Sequence, residues 1–375
     1  MGIAAARSAA HGMREKVLQG ADPNLDKREE AKAAEEEARR QVSVKDVLDT
    51  YETSVLAHHR SGGNTRRSLD GKRGLLTTLA SRPLVSLTRL EIGDLVKEHA
   101  KVAPIGANRK LALASAFFNW CVDEGLLEAN PITGMRKPSP ESERDRFHTL
   151  AELREIWVAT GKLGYPFEQL FRLLIVLPSR REEIAGVPIA DLALGPDKPA
   201  DQGIWTLPSR RTKMANALRI PLSPLARALI KEALDHEERP KDSKFLFSTT
   251  GETSVSGFTK AKRRLDAEIE KARAAVAAER NETYRPSDTM PHWTIHDLRT
   301  TFNTHACEIL GVPPHVADRI LNHVATATRS KIMRVYNKSE LFEPRRQALN
   351  QWAELLEERV INPVAFPLIA MAEAA

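Results

Sequence analysis

The sequence predicts a mainly α-helical chain with one small antiparallel sheet, an α+β fold in two units. Three observations carry this. Most of the chain places apolar residues at helical spacing. Only Gly203 to Leu207, Ala217 to Leu222 and Phe245 to Phe247 read as strands, and they fall in the second half. Between the halves lies KPSPESERDR, residues 137–146, with two Pro, two Ser, alternating charge and no apolar residue, the composition of a linker.

The elements follow in order. Ala4 to Gln19 is Ala-rich and helical, and Gly20-Ala21-Asp22-Pro23 breaks it. Asp26 to Arg40 is charge-dense with few apolar anchors, a solvated helix; residues 1–41 thus form an N-terminal segment rather than a domain. Residues 42–136 read as a bundle of about four helices. Val42 to His59 carries an apolar face including Val47, Leu48 and Tyr51. Ser61 to Asn64 reads as a turn, and Thr65 to Leu79 as a basic helix with Arg66, Arg67, Lys72 and Arg73. Thr88-Arg89-Leu90-Glu91 is a capping box opening a third helix. Asn108 to Glu124, with Phe117, Phe118 and Cys121 on one face, is the fourth. Residues 147–360 form the second domain. Thr149 to Glu152 is another capping box, Phe167 to Val176 a strongly apolar helix and Phe258 to Glu279 a long charged one. An amphipathic helix over Glu343 to Arg359 presents Ala348, Leu349, Trp352, Leu355 and Leu356; it packs either on its own domain or on a neighbouring protomer. Residues 361–375 are a tail.

Composition narrows the function classes. The 375 residues are 42% hydrophobic and 28% charged, and 56 Lys+Arg against 50 Asp+Glu leave a net +6. That excess permits nucleic-acid binding without demanding it. No run of about 18 apolar residues exists to span a membrane, and the N-terminus lacks an apolar signal core. Cys121 and Cys307, both in apolar helical patterns, read as buried thiols in a reducing cytoplasm.

The chemistry concentrates between Thr294 and Tyr336. His296 and Arg299 stand three apart, so a helix places them on one face. Leu321-Asn322-His323 and Tyr336 follow. A His, an Arg, a second His and a Tyr suit a phosphodiester attacked by a phenol. Such attack also needs positive charge on the non-bridging oxygens and a proton for the leaving oxygen. Arg180, at the end of the apolar helix and three before Glu183, offers the charge; a surface salt bridge is the competing reading. Lys213, in the basic turn Arg210-Arg211-Thr212-Lys213, offers the proton; a solvated turn lysine competes. Tyr336 stands between nucleophile and packed phenol. Tyr51 lies on a core face. Among the other histidines, His58 and His59 read as surface and His305 as a satisfied interior residue. His292 and His296 have the i, i+4 spacing of a zinc pair, but neither HExxH nor a Cys pair accompanies them, so no metal or other cofactor is expected.

These pieces in this order resemble the tyrosine recombinases, and within them the prophage-type integrases: Arg180 with Glu183, Lys213 before Ile220-Pro221-Leu222, His296-Asp297-Leu298-Arg299, Leu321-Asn322-His323, then Tyr336. The resemblance spans nearly the whole chain. It implies a helical core-binding domain and a catalytic domain that clamp double-stranded DNA. Tyr336 attacks the scissile phosphate to give a 3′-phosphotyrosyl link, Arg180 and Arg299 hold the non-bridging oxygens, Lys213 protonates the leaving 5′-oxygen, His296 assists proton transfer and His323 donates to the phosphate. No ATP or obligatory metal is implied. Thr65, Arg66, Arg67, Lys72, Arg109, Lys110, Arg210 and Arg211 are the expected DNA contacts. Four protomers are expected on DNA, with DNA-bending proteins or an excision factor as helpers, in the bacterial cytoplasm at the nucleoid. Two departures stand out: Pro178-Ser179 replaces the commoner Thr-Gly, and the step from His323 to Tyr336 is longer than in many recombinases. The sheet of an N-terminal arm-binding domain is not found, so residues 1–41 read as its remnant. The rival classes are a DNA-binding relative without catalysis and a metal-dependent nuclease, the latter lacking a carboxylate cluster.

Overall fold

The structure is a computed structural model that describes residues 2–18, 20, 22, 25, 27–28, 31–32, 41–141, 145–194, 203–211, 217–322 and 339–363. The chain divides into two units, Met1–Glu143 and Arg144–Ala375.

In the first unit, α1 (Ile3–Leu18) precedes four helices that share a core: α2 (Val44–Ser54), α3 (Gly62–Asp70), α4 (Arg89–Val102) and α5 (Pro104–Asp123). Each start has a local cause. The Ser43 hydroxyl accepts the Asp46 backbone N–H ahead of α2. Thr88 and Glu91 form the reciprocal capping box of α4, which satisfies two donors a helix start leaves open. Pro104 opens α5, where its missing N–H costs nothing. Val44, Leu48, Leu69, Ile92, Phe117, Phe118 and Cys121 form the dry centre, each large side chain contributing about 1.5–3 kcal/mol. Tyr51 is buried there against Phe117 and Trp120, ring centroids 5.4 and 5.0 Å away. Two elements differ from expectation. The predicted turn at Ser61 to Asn64 is the first turn of α3, because a Cβ on Gly62 would stand 2.0 Å from the Leu56 carbonyl oxygen and only glycine permits the approach. The basic helix expected to reach Leu79 stops at Asp70. Gly71 and Gly74 end it, and the amides of Leu75 and Leu76 fold back onto the carbonyls of Ser68 and Leu69.

The second unit begins with α6 (Leu150–Thr160), capped by the Thr149/Glu152 box, and α7 (Phe167–Val176). The short α8 (Arg181–Ala185) leads to a three-stranded antiparallel sheet of β1 (Leu192–Ala193), β2 (Gly203–Leu207) and β3 (Leu218–Leu222), in the order β1-β2-β3. Trp205 pairs with Ile220 and Leu207 with Leu218, so alternate side chains of β2 enter the core. The helices α9 (Pro224–Asp235), α10 (Phe258–Glu279), α11 (Asp297–Glu308), α12 (Pro314–Ile320) and α13 (Phe342–Leu356) complete the unit, and a π turn, Glu357–Ile361, follows α13.

Two expectations need correction, and one open alternative is decided. The third strand is β1, not Phe245 to Phe247. Phe245 makes a single bridge to Pro188, closed by the Ile189 amide on the Lys244 carbonyl and the Leu246 amide on the Val187 carbonyl. The carbonyls beyond it are taken elsewhere: Leu246 O and Ser248 O by the Tyr165 hydroxyl, and Phe247 O by the Val255 amide. Cys307 is half-buried rather than buried; Cys121 is buried. The apolar face of α13 is covered within its own unit. Trp352 Nε1 donates to the Ile175 carbonyl at 3.0 Å, and Arg345 Nη1 to the Arg219 carbonyl at 2.8 Å.

Both ends of the stretch 137–146 are tied down. Buried Asn108 donates to Ser139 O and Glu141 Oε1, both at 2.8 Å. Arg146 pairs with Glu152 at 2.6 Å within the second unit. Among the described residues, no helix is long and apolar enough to cross a membrane.

Candidate active site

Arg180 enters the site at the N-cap of α8. Its backbone N–H donates to Glu183 Oε2 at 2.9 Å and its Nη1 to Glu183 Oε1 at 3.0 Å. One buried carboxylate therefore fixes both the main chain and the side chain of Arg180. Glu183 is itself placed from behind: Arg211 Nη2 donates to the Glu183 carbonyl at 2.9 Å, and Arg211 Nη1 reaches Asp191 at 3.1 Å. Arg211, expected on the DNA, is turned inward as this support.

Arg299 comes from the first turn of α11 and is 4% exposed. Its Nη1 donates to the Pro178 carbonyl at 2.6 Å and its Nη2 to the Leu321 carbonyl at 2.7 Å. Arg180 Nη2 donates to the neighbouring Asn322 carbonyl at 3.4 Å. Two arginines far apart in sequence thus converge on the end of α12. There Asn322 takes a left-handed φ of 50°, a conformation asparagine tolerates better than most residues. The next residue in the chain is His323.

His296 is the N-cap of α11 and is exposed. The turn that carries it is held by Asp297, whose carboxylate accepts the Thr294 amide at 2.7 Å and the Thr294 hydroxyl at 2.9 Å. Partial loss of water around the imidazole, then the Arg299 and Arg180 charges, hold its pKa below the usual histidine value, against an opposing pull from Asp297. Burial, then the Arg180 charge, lowers Arg299 to about 10, so it stays cationic at neutral pH. The site therefore holds two guanidinium charges against one carboxylate, with a largely neutral imidazole beside them. That combination binds an oxyanion and can move a proton.

Lys213, His323 and Tyr336 lie outside the described residues. Among the described residues, no three His, Cys, Asp or Glu side chains converge as metal ligands.

The phage integrase core-binding domain family matches residues 35–129, and the phage integrase family matches residues 152–340. The chain belongs to the phage integrase family. It is a tyrosine-type site-specific recombinase. Its fold is similar to a lambda integrase (75–356) dimer bound to a COC′ core site, at 16% identity and TM-score 0.55, covering 77% of this chain and 98% of that one. A lambda integrase tetramer bound to a Holliday junction matches at 15% identity and TM-score 0.57, covering 88% and 90%. The Tn1549 transposon integrase in complex with transposon right-end DNA matches at 14% identity and TM-score 0.51, covering 84% and 99%. No curated protein matches the chain in sequence.

The expected DNA contacts of this recombinase fall into two groups. Arg67, Lys72, Arg109 and Arg210 are exposed, and Thr65 is half-buried. Arg66, by contrast, is ringed by Asp49, Glu52 and Asp70 at 2.6, 2.9 and 3.0 Å. Lys110 is half-buried, with Nζ bonded to the Arg73 carbonyl and 3.1 Å from His99 Nδ1. Sequence reasoning missed the inward turn of Arg211 and the anchoring by Asp297. The second had a signal, since Thr294-x-x-Asp297 is a capping pattern; the first had none.

Proposed function

We propose that the chain cuts and rejoins double-stranded DNA at a specific crossover site through a 3′-phosphotyrosyl link to Tyr336, integrating or excising a prophage or other mobile element. The observation that carries this reading is the convergence of Arg180 and Arg299 on the Leu321–Asn322 carbonyls, with His296 at the adjoining helix start. Arg180, partly exposed, and Arg299 behind it hold the non-bridging oxygens as charge grows in the transition state. Glu183 keeps Arg180 in place. His296, largely neutral at pH 7, accepts and returns the proton of the attacking phenol. By sequence resemblance Lys213 protonates the leaving 5′-oxygen and His323 donates to the phosphate. The bond broken and the bond formed are both phosphodiesters, so the energy of the DNA backbone is stored in the protein link and returned on rejoining.

Residues 42–136 act as the core-binding domain, 147–360 as the catalytic domain and 137–146 as their connection. Arg67, Lys72, Arg109 and Arg210 meet phosphates, and binding weakens steeply with salt. Arg66 and Arg211, engaged by carboxylates and carbonyls, shape the protein instead. Strand exchange joins two duplexes, and the similar lambda integrase forms a tetramer on a Holliday junction; this chain assembles likewise, in the bacterial cytoplasm, with DNA-bending or excision proteins as helpers. The test is a nicked suicide duplex carrying the crossover site. Wild type should form a covalent, SDS-resistant adduct, and Tyr336→Phe should form none. An adduct that survives in Tyr336→Phe rules out the nucleophile, and specific binding with no adduct at all favours a non-catalytic DNA-binding protein.

A further inference from the structure

We infer that His148 is a positioning residue for Arg299 and His296: paired with Thr301, it latches the segment entering the catalytic unit onto α11. This rests on the reading of Arg299 and His296 as reaction groups. His148 is 0% exposed. Its backbone N–H donates to Thr301 Oγ1 at 2.9 Å, and its ring Nδ1 lies 2.9 Å from the same oxygen. Its carbonyl accepts His305 Nε2 at 2.8 Å, one turn further along α11. The ring stands edge-on to buried Trp293, centroids 4.9 Å apart, and Phe147 packs edge-on to His305 at 5.9 Å. Two successive residues are thus fastened to the helix that begins at Asp297 and carries Arg299 two residues later.

The proton count fixes the form of the latch. Thr301 Oγ1 donates its one proton to the Asp297 carbonyl at 2.8 Å. A hydroxyl has one donor and two acceptor positions, so the remaining positions take the His148 N–H and the His148 ring. Nδ1 must then carry hydrogen. Nε2 is buried and has no hydrogen-bond partner. The opposite tautomer would leave an N–H donor stranded there, whereas the Nδ1–H tautomer leaves only a lone pair bare. Burial, and next the Arg146 charge, hold the His148 pKa down at about 4, in keeping with a neutral ring. Thr301 completes the link: its hydroxyl bonds the carbonyl of Asp297, whose carboxylate anchors the turn presenting His296. Aliphatic residues of the same volume would fill the space but could not set the rotation of α11 about its axis.

The experiment is single-turnover cleavage of the suicide duplex by the full chain at saturating protein, alongside the dissociation constant for the same site. His148→Leu should cleave on the order of 10- to 100-fold more slowly, the cost of a misplaced reaction group, with binding unchanged. His148→Asn, whose amide keeps an N–H donor near the Nδ1 position, should recover most of the rate. Ile269→Val, a core change in the same unit, should cleave normally for a comparable fall in Tm. A normal rate in His148→Leu, no rescue in His148→Asn, or equal slowing in Ile269→Val overturns the inference. If wild type forms no adduct, the functional reading fails and a second measurement decides the latch. The ¹⁵N imidazole spectrum should show His148 neutral and protonated at Nδ1. The Arg299 side-chain signal, assigned with Arg299→Lys, should move in His148→Leu and return in His148→Asn. An Nε2–H ring or an unmoved arginine signal overturns it.

Discussion

Arg66 in the first unit and Arg299 in the second are both well-sheltered guanidinium groups held by short contacts, yet they have opposite chemistry. Arg66 meets three carboxylates, Asp49, Glu52 and Asp70. Burial pulls its pKa down, but the Asp49 and Asp70 bonds and the charges around them lift it above the ordinary arginine value. Arg299 meets two neutral carbonyls, and burial with the Arg180 charge lowers it to about 10. The contrast lies in the partner. Carboxylates neutralise a guanidinium and turn it into a brace. The carbonyls at Arg299 fix its geometry without bringing a negative charge of their own. Both arginines are legible as basic residues on helices; only the partners show which one is a brace.

The largest expected effect tests the charged pair. Arg180→Ala should lower single-turnover cleavage on the order of 10²- to 10³-fold, the range for removing one preorganised donor, while the protein remains folded. A rate within tenfold of wild type would make the Arg180–Glu183 pair a brace like Arg66.

Protons sharpen the contrast next. His148 is fully buried with a pKa near 4 against the usual 6.5, so the unfolded chain binds the proton first. Its contribution to stability is whole above pH 6.5, falls as pH drops through the window from 6.5 to 4, and changes no further below it. The loss is on the order of 3 kcal/mol at 1.36 kcal/mol per pH unit. Thermal unfolding from pH 7.5 to 4 should show the catalytic unit weakening more in wild type than in His148→Asn; equal slopes would count against a buried neutral histidine.

Arg66→Met should cost about 1–2 kcal/mol in urea unfolding, because three carboxylates then face one another without their cation. It should leave cleavage by bound protein unchanged. The smallest effect is also the most discriminating. Lys72→Ala should reduce the salt slope of DNA binding by about one phosphate contact, roughly 0.9 in log–log slope, while Arg66→Met leaves that slope alone. A reduced slope in Arg66→Met would return it to the DNA-contact set.

Much of this was readable from residue order. Apolar spacing gave the helices, and the Thr88–Glu91 and Thr149–Glu152 boxes marked their starts because capping is a local bond between near neighbours. Arg180 and Glu183 were readable as a pair for the same reason. What escaped the sequence is long-range. The inward turn of Arg211 depends on Asp191 and on the back of Glu183. The His148 latch spans 153 residues to Thr301, and an isolated Phe-His-Thr gives no hint of it. The misplaced third strand has the same origin: Phe245 to Phe247 has strand composition, but its hydrogen-bonding groups are claimed by Tyr165 and Val255. The end of the basic helix is a local signal, carried by the closely spaced Gly71 and Gly74.

The bonds that build the site also set when it can exist during synthesis. Arg299 reaches Pro178 across 121 residues and Arg180 reaches Asn322 across 142, and Trp352 bonds to Ile175 across 177. None of these closes while the chain is still emerging in its first half. A nascent chain that has completed its first unit therefore has no assembled arginine pair. The two arginines can meet at the Leu321–Asn322 carbonyls only after residue 322 has left the ribosome, and the Trp352 bond to Ile175 closes later still.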